Sequence, residues 1–513
     1  MPASMASPSS PNPDVRSEER SGRASALRVM LVAALALLSL LGWVFASPVG
    51  SSPDDNFHMT SIWCAQGERS GLCETGATPD QRAVLAEVAW TSACYATRPK
   101  HSGECDTPMQ GMVNTAHGNF AGLYPPVFYA TMSVFSGPDV QTSVLWMRVF
   151  NSVLAVMLIT SVYLLVDVRL RRAMLWSLLL AGIPTGIFLV ASVNPSGWAI
   201  VSAGTLWVSL VGYFRAPTPA RSIALGGLAL VSSVMGAGSR GDSAVFVAFG
   251  ALLAAVVAFE RTRLYLLRLA LPLVAMAIGA AFYLSSNQVG SALGGEMAGD
   301  RPPHVNIVTD LVRTLLNIPK LWVGNFGTQA LGWGDVALPA VVWFTTLVLY
   351  AGVAFWGLSH ARKASTNVAI ILAGIALVMV PSVIIVQNGV EVGVLVQPRY
   401  VLPLQILFLA MILMSSRRSS MAMTAVQRWI IIVGLSGANS IALYKTFRRY
   451  LTGTGYSGFD LDRGIQWWWR DMVLSPNTFW IVGTLAFAGL VYFASTGLTR
   501  HAPATVALVG APR

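Results

Sequence analysis

The sequence predicts an all-α integral membrane protein with about 12 transmembrane helices. Of its 513 residues, 54% are hydrophobic and only 11% are charged, and the mean hydropathy is +0.60. A soluble domain of this length needs far more polar surface than that composition provides. Most of the apolar runs also reach the length of about 17 to 25 residues that a helix needs to cross the hydrocarbon core.

The predicted spans follow the apolar runs in chain order. A further apolar segment, 125–136, is too short to cross. The twelve spans are 27–46, 142–166, 173–192, 197–214, 222–238, 243–259, 265–286, 337–358, 367–387, 401–416, 429–446 and 477–497. They leave three sizeable loops, 47–141, 287–336 and 447–476, all on one side of the membrane.

Basic residues set the orientation, since they concentrate in the short loops that face the cytoplasm. Arg16, Arg20, Arg23 and Arg28 stand before or at the start of the first span, and other basic residues occupy alternate connections: Arg169, Arg171, Arg172, Arg215, Arg221, Arg261, Arg263, Arg362, Lys363, Arg417, Arg418 and Arg428. Both termini are therefore predicted to be cytoplasmic and the three large loops extracytoplasmic. The chain divides into a disordered tail, 1–25, a membrane domain, 26–497, and a second tail, 498–513. This bias accounts for the net charge of +11, so nothing indicates nucleic-acid binding.

All four cysteines lie in the first large loop, at Cys64, Cys73, Cys94 and Cys105. An even number confined to one compartment favours disulfides in an oxidising space. Of the three connectivities, we prefer the local pairs Cys64–Cys73 and Cys94–Cys105. A zinc site is the alternative, although the close Cys-x-x-Cys pair that structural zinc sites favour is missing from the sequence.

A candidate reaction centre follows the first span directly. Asp54, Asp55 and His58 stand where the helix leaves the membrane, and carboxylates with an imidazole are the groups that general acid–base catalysis uses. On a helical turn, His58 would share a face with the two carboxylates. The alternative interpretation is a set of solvated residues at the interface.

Several cations break the charge bias because they lie at extracytoplasmic ends of spans. They are Arg240, Arg399, Arg448 and Arg449, and Tyr400 follows Arg399 directly. An arginine in that position can bind a lipid phosphate in bidentate fashion or can simply anchor the helix at the interface. The first large loop ends with His117 and with Tyr124, which opens a Tyr-Pro-Pro segment.

Two loop segments have helical patterns of apolar residues. Residues 78–95 place Val84, Leu85, Val88 and Ala89 at helical spacing, which predicts a helix lying on the membrane or against the bundle. Residues 305–318 are amphipathic and end at Pro319, which is typical of an interfacial helix.

Taken in order, these motifs resemble a known family over Pro53 to Trp469. They are the acidic pair before histidine, Tyr-Pro-Pro, Arg148 with Asn151, a Gly-Trp stretch before Leu-Pro, and Gln-x-Arg-Tyr-x-x-Pro. The chain resembles the predicted multi-pass membrane proteins of unknown function that are grouped with the GT-C glycosyltransferases. It departs from the family where Asp54-Asp55 replaces Asp-Glu and where Pro398 replaces a glycine before Arg-Tyr.

The resemblance implies a GT-C-like helical fold with an extracytoplasmic active site. Such an enzyme transfers a sugar from a polyprenyl-phosphate donor to an envelope glycan or lipid acceptor, with inversion, and works among membrane lipids. Asp54 or Asp55 would be the general base, near His58, and the other would orient the acceptor or bind a divalent cation, Mg²⁺ or Mn²⁺. Donor phosphate would bind Arg399 first and then Arg240, Arg448 or Arg449, with Tyr400 as hydrogen-bond partner and His117 and Tyr124 as further substrate contacts.

Two other functions fit the same motifs. A transporter or flippase of a lipid-linked sugar would use the cations without a base, although transporters usually place ionisable residues inside their spans. An inactive relative would retain the fold as a membrane scaffold for other envelope enzymes.

Overall fold

The computed structural model describes residues 13–104, 109–287, 306–414, 423–456, 458–469 and 472–496, with side chains from Ala26 onward. The described helices are α1 (Pro13–Phe45), α2 (Asp55–Cys64), α3 (Ala86–Ala89), α4 (Val127–Met132), α5 (Val140–Leu165), α6 (Val168–Gly182), α7 (Thr185–Val190), α8 (Pro195–Arg215), α9 (Pro219–Ala237), α10 (Gly241–Val257), α11 (Arg263–Arg268), α12 (Ala270–Ser285), α13 (Ile307–Asn317), α14 (Pro319–Val323), α15 (Ala340–Leu358), α16 (Ala364–Gln387), α17 (Pro398–Leu413), α18 (Ala425–Thr452) and α19 (Pro476–Ser495). The strands are β1 (Cys73–Thr75), β2 (Arg82–Leu85) and β3 (Met112–Thr115).

The helical membrane architecture is confirmed, but the count of twelve spans is not. Within the described ranges, nine helical segments are long and apolar enough to cross a membrane: Ala26–Phe45 of α1, α5, α8, α9, the continuous stretch Arg263–Ser285 that contains α11 and α12, α15, α16, α18 and α19. Helices α10 and α17 are apolar but shorter. The span predicted at 173–192 is divided between α6 and α7, because Pro184 disfavours helix in the residue before it and removes a backbone donor.

Helix α8 forms the centre of the bundle. Most of its residues are buried, including Trp207 and Leu206, and it packs against α5, α9, α10 and α17. Helix α1 packs along α19, which in turn packs against α18. A helix that is buried on nearly every side is apolar over most of its surface, and the hydroxyl groups of α8 find partners inside the bundle, since Ser202 donates to the carbonyl of Ser232 at 2.8 Å and Ser209 to that of Thr205 at 2.7 Å.

Different polar contacts lie at the two ends of the bundle. At one end, α1 finishes beside the start of α5, where Arg148 donates to the carbonyl of Val44 at 2.9 Å. The opposite end holds basic residues of the short connections, since Arg28 donates to the carbonyl of Phe493 at 3.1 Å and Lys363 pairs with Glu260 at 3.8 Å. These contacts join residues that the sequence predicts to lie at the cytoplasmic ends of the spans, while the orientation of the protein in the membrane stays a prediction.

The loop 47–141 carries a small antiparallel sheet in the order β1-β2-β3. The predicted helix over 78–95 is wrong, because Arg82 to Leu85 pairs with Met112 to Thr115 and only the four residues of α3 are helical. Long-range ladder hydrogen bonds here outweigh a local helical pattern, as is common for short segments. The fold is thus mostly helical rather than all-α.

The disulfide Cys64–Cys73 is confirmed and ties α2 to β1. Cys94 is also disulfide-bonded. Its predicted partner, Cys105, lies outside the described residues. The C-terminal end of α2 is therefore covalently fixed to the sheet, and the candidate acidic residues lie at the N-terminal end of the same helix.

The amphipathic segment near 305–318 forms helix α13, whose first turn is capped by the Asn306 side chain. Its apolar residues Ile307, Val308 and Leu316 are exposed, the last at 77%. A helix with such a face lies naturally in the membrane interface. Of the predicted tails, 498–513 lies outside the described residues, while α1 begins at Pro13, inside the predicted N-terminal tail.

Candidate active site at one end of the bundle

A tight turn between α1 and α2 presents Asp54. Its backbone lies in the left-handed region, with φ 62° and ψ 17°, and it is the one residue other than glycine with positive φ among those described. Its carbonyl accepts hydrogen bonds from the N–H groups of Phe57 and His58, both at 3.0 Å. Aspartate tolerates this conformation better than most residues, yet such backbone strain concentrates at functional sites.

Arg148 of α5 fixes the chain that leads into this turn. It is fully buried and donates to the carbonyls of Val44, Ser47 and Pro48 at 2.9, 2.7 and 2.7 Å. Those carbonyls end α1 and would otherwise lack partners. The guanidinium therefore acts as a side-chain cap that joins α1 to α5.

Asn194, which caps α8, fixes the turn from the other side. Its Nδ2 donates to the carbonyl of Pro53 at 2.9 Å and to Ser52 Oγ at 3.0 Å, while its Oδ1 accepts from the N–H of Ser196. The turn that presents Asp54 is thus held between α5 and the central helix α8.

The Asp54 carboxylate contacts Arg399 across the bundle. Arg399 Nη2 lies 2.6 Å from Asp54 Oδ2, and the side chains are 8% and 43% exposed, respectively. Arg399 stands in the first turn of α17, which Pro398 begins, and helix N-termini favour anions. Asn325 donates to the carbonyl of Pro398 at 2.8 Å, so the position of this helix start is also fixed.

A cavity of about 160 Å³ opens at this pair. It is lined by Pro53, Asp54, Thr185, Phe188, Leu189, Gly324, Gln329, Ala330, Leu331, Gly332, Trp333, Gly334, Gln397, Pro398 and Arg399. Trp333 is anchored because its Nε1 donates to the carbonyl of Gly50 at 2.8 Å. One wall therefore comes from α7, another from the 331–334 turn, and the charged groups come from the starts of α2 and α17.

Arg240 and Tyr400 support Arg399 from behind. The Tyr400 ring lies between two guanidinium groups, 4.3 Å from that of Arg240 and 4.7 Å from that of Arg399. Arg399 Nη2 also lies 2.9 Å from Tyr400 Oη. Arg240 is buried and binds both carboxylate oxygens of Asp242, at 2.8 and 3.2 Å. Because its charge is already balanced, Arg240 orients Tyr400 rather than offering a free cation.

His58 is buried among aromatic rings beside the site. Its Nδ1 lies 2.9 Å from Tyr129 Oη, and its Nε2 has no hydrogen-bond partner in the described part of the chain. Burial lowers the pKa of the imidazole from 6.5 to about 3. The ring is therefore neutral at physiological pH, and its side chain is not among the residues that line the cavity.

Asp55 points away from the cavity and closes the turn. It is 1% exposed, and its two oxygens accept from Ser52 Oγ at 2.6 Å and from the Ser52 N–H at 3.0 Å. Burial raises the pKa of this carboxyl from 3.8 to about 7. The two adjacent carboxylates, indistinguishable in the sequence, thus have different surroundings, and only Asp54 lines the cavity.

His117 and Tyr124 lie on the α2 side of the site, outside the cavity lining. The exposed His117 ring is 5.3 Å from that of Phe57, while the Tyr124 ring lies 5.5 Å from Phe57 and 5.4 Å from the Arg240 guanidinium. Burial raises the pKa of Tyr124, so its phenol remains protonated. These residues form an aromatic rim next to the buried His58.

Arg448 and Arg449, predicted as donor-binding cations, do not reach the cavity. Arg448 donates to the carbonyl of Asp460 at 2.7 Å, and Arg449 donates to those of His101 and Tyr95 at 2.7 and 2.8 Å. Arg449 Nη2 also lies 2.8 Å from Asp335 Oδ2. Buried guanidinium groups need many acceptors, and here the three large loops supply them.

Sequence reasoning missed the roles of Arg148, Asn194, Asn325 and Trp333. Arg148 did carry a signal, because an arginine inside an apolar span is rare unless it has a function or a buried partner. Trp333 carried a weaker one as part of the Gly-Trp stretch, since tryptophan is common at membrane interfaces in any case.

The site offers a carboxylate, a guanidinium and a wall of aromatic and backbone groups. Among the residues that the structure describes, no group of three or more His, Cys, Asp or Glu side chains is arranged to hold a metal ion. A divalent cation, Mg²⁺ or Mn²⁺, at one of the two carboxylates therefore stays an untested possibility, and Asp54 is the carboxylate that faces the cavity.

The family described as predicted membrane protein (DUF2142) matches residues 37–409. This confirms the expected resemblance to a family of predicted membrane proteins, while its grouping with the GT-C glycosyltransferases rests on the sequence motifs alone. No curated protein and no solved structure matches the chain. The matched range includes Asp54, Arg148, Arg240 and Arg399 and ends before Arg448.

Proposed function

The chain belongs to the DUF2142 family of predicted membrane proteins, and we propose that it is a glycosyltransferase of the GT-C type. Its donor is a sugar on a polyprenyl phosphate, and its acceptor is a hydroxyl group of an envelope glycan or lipid on the extracytoplasmic side. The observation that carries the proposal is the Asp54–Arg399 pair, 2.6 Å apart at the mouth of a cavity.

The pair supplies the two groups that inverting transfer requires. The acceptor oxygen bonds to the anomeric carbon of the sugar while the bond from that carbon to the phosphate oxygen breaks. The acceptor proton passes to Asp54, and the electron pair of the broken bond remains on the phosphate, whose charge Arg399 offsets. Atoms and charge balance without a further reactant.

The contact between the two groups provides a way to couple binding to catalysis. Arg399 Nη2 binds Asp54 Oδ2, and a donor phosphate competes for the same guanidinium. Bidentate contact between arginine and phosphate is strong, so donor binding releases the carboxylate when the acceptor must lose its proton. Tyr400, held between Arg240 and Arg399, keeps the guanidinium aimed at the cavity during this exchange.

The turn that carries Asp54 is rigid enough for this role. Arg148 and Asn194 fix the chain before it, and Asp55 closes it by accepting two hydrogen bonds from Ser52. A general base needs such support because a small displacement from the proton it abstracts costs much of its effect. We therefore assign Asp54 as the base and Asp55 as the residue that positions it.

Transfer of labelled sugar tests the proposal. Purified full-length protein in liposomes is supplied with a panel of polyprenyl-phosphate sugars and a cell-envelope extract. The matched variants are Asp54→Asn and Asp462→Asn, since Asp462 is an exposed carboxylate outside the cavity lining. We expect transfer by the wild type and by Asp462→Asn and almost none by Asp54→Asn.

A second measurement separates transfer from translocation. Liposomes that lack acceptor are scored for movement of the donor headgroup across the bilayer. Headgroup movement without any sugar transfer, by protein shown to be folded, would indicate that the protein is a flippase and not a glycosyltransferase. Absence of both activities would favour a scaffold.

A further inference from the structure

A second cavity lies within the bundle and opens toward the end opposite the Asp54 site. Its volume is about 370 Å³, and its lining comes mainly from apolar residues of α1, α5, α6, α7 and α19. Three arginines, Arg28, Arg171 and Arg172, also line it. An apolar groove bordered by cations matches a molecule with an anionic head and a hydrocarbon tail.

The cations at the mouth are anchored mainly by backbone groups. Arg171 Nε donates to the carbonyl of Val166 at 2.9 Å, its Nη2 donates to that of Leu164 at 3.2 Å, and its guanidinium lies 4.8 Å from the Tyr163 ring. Arg28 is exposed and donates to the carbonyl of Phe493 at 3.1 Å. These contacts fix the direction of the guanidinium groups while leaving their positive charge in place, which suits a phosphate diester.

The length of the groove indicates which kind of hydrocarbon tail it can hold. Along α1 its lining runs from Arg28 to Leu40, about 18 Å for a helix that rises about 1.5 Å per residue. One leaflet of the hydrocarbon core is about 15 Å thick, half of about 30 Å. The groove therefore fits one acyl chain of a glycerophospholipid in the adjoining leaflet, and a long polyprenyl chain would exceed it.

We infer that this groove is a binding site for an anionic diacyl phospholipid. Its phosphate binds Arg28 and Arg171 at the mouth, and one acyl chain packs between α1, α5, α6 and α19. Basic pockets between transmembrane helices are the usual place for such headgroups. The inference does not rest on the proposed transfer reaction, and the groove lies at the other end of the bundle from Asp54.

The short helix α7 links the groove to the active-site cavity. Ile187 and Val190 line the groove, whereas Phe188 and Leu189 line the cavity at Asp54. A bound acyl chain therefore supports α7 from the side opposite the cavity. Anionic lipid stabilises the folded bundle and, through α7, the cavity wall.

Lipid binding by the full-length protein tests this inference. Delipidated protein in neutral detergent is titrated with phosphatidylglycerol or with phosphatidylcholine of the same chains, and bound lipid is counted by native mass spectrometry. We expect roughly tenfold tighter binding of phosphatidylglycerol, because its net charge is negative. Arg28→Gln should remove most of this preference. Ala36→Phe, which places a ring in the groove, should weaken binding of both lipids.

Arg261→Gln is the matched control, because Arg261 is exposed at the same end of the bundle and does not line the groove. Its preference should equal that of the wild type. Equal affinity for the two lipids, the same loss in Arg261→Gln as in Arg28→Gln, or unchanged binding in Ala36→Phe would each overturn the inference. Wild-type protein that binds no phosphatidylglycerol would do so as well, since another occupant would then fill the groove.

Discussion

Two pairs of arginine and aspartate belong to the same end of this bundle, and they differ in what surrounds them. In the pair Asp54–Arg399 the carboxylate is 43% exposed and lines a cavity. In the pair Asp335–Arg449 both side chains are buried, at 6% and 3% exposure, and carbonyls of the first large loop surround the guanidinium. The first pair can exchange partners with a ligand, whereas the second holds the loops together.

The comparison shows that charge and position do not by themselves identify a functional cation. Both arginines begin or end a span on the same side, and both were candidates for donor phosphate. What separates them is access, together with the strained backbone of Asp54. Breaking the Asp54–Arg399 pair should therefore reduce activity more than stability, whereas breaking the Asp335–Arg449 pair should reduce stability more than activity.

The largest expected effect is on catalysis, from Asp54→Asn. Asparagine keeps the shape and tolerates the left-handed backbone, but it cannot accept the acceptor's proton. We expect the kcat for sugar transfer to fall about 10²- to 10⁴-fold. Because the pair is open to the cavity, the free energy of unfolding should change by less than about 1 kcal/mol. Steady-state kinetics and thermal unfolding of the same preparation measure both.

The buried pair should behave in the opposite way. Arg449→Ala leaves the buried Asp335 without its cation, so the free energy of unfolding should fall by about 3–5 kcal/mol. Activity per folded molecule should remain near that of the wild type. Thermal unfolding and active-site-normalised transfer test this prediction. A folded Arg449→Ala protein that has lost donor binding would contradict this prediction and would show that Arg449 belongs to the donor site.

A conservative change sharpens the role of Arg399. Arg399→Lys retains the charge but loses the planar guanidinium that can bind Asp54, Tyr400 and a phosphate together. We expect the KM for the donor to rise about tenfold, roughly 1.4 kcal/mol of binding, with a smaller change in kcat. An unchanged donor KM would mean that Arg399 only orients Asp54.

The smallest expected effect is the pH dependence contributed by His58. Its pKa is about 3 in the folded protein, below its ordinary value of 6.5, because it is buried. Between those values the unfolded chain binds more protons, so this residue lowers stability as the pH falls below about 6.5. The slope is at most about 1.4 kcal/mol per pH unit.

Comparison of the wild type with His58→Gln isolates this contribution. Asp55 acts in the opposite sense, since its raised pKa lowers stability as the pH rises from about 4 to about 7, but it is present in both proteins. The difference in unfolding free energy between the two should therefore depend on pH between 6.5 and 4. A constant difference over that range would show that His58 is not a buried neutral imidazole.

The sequence predicted which residues share an end of the bundle, because apolar runs and charge bias fix the side on which each connection lies. Asp54 and Arg399 are far apart in the chain, yet the order of spans placed both on one side. The sequence did not predict that Arg399 faces the cavity while Arg448 and Arg449 do not. That difference depends on which carbonyl groups of the loops accept hydrogen bonds from each guanidinium.

Local sequence patterns also gave a wrong secondary-structure prediction where segments distant in the chain pair with each other. Val84 and Leu85 fit a helical spacing, but their backbone groups bond to strand β3. The difference between Asp54 and Asp55 likewise arises from three-dimensional contacts, because Ser52 and Asn194 together turn one carboxylate inward and present the other. No periodicity in a single sequence records such contacts.

The most direct test of catalysis by the Asp54–Arg399 pair compares kcat for Asp54→Asn and Asp335→Asn with the same polyprenyl-phosphate donor, each normalised to folded protein. We expect Asp54→Asn to be stable and nearly inactive, while Asp335→Asn should be less stable but retain wild-type turnover in its folded fraction. Wild-type turnover by Asp54→Asn would contradict the claim that the cavity pair performs the chemistry.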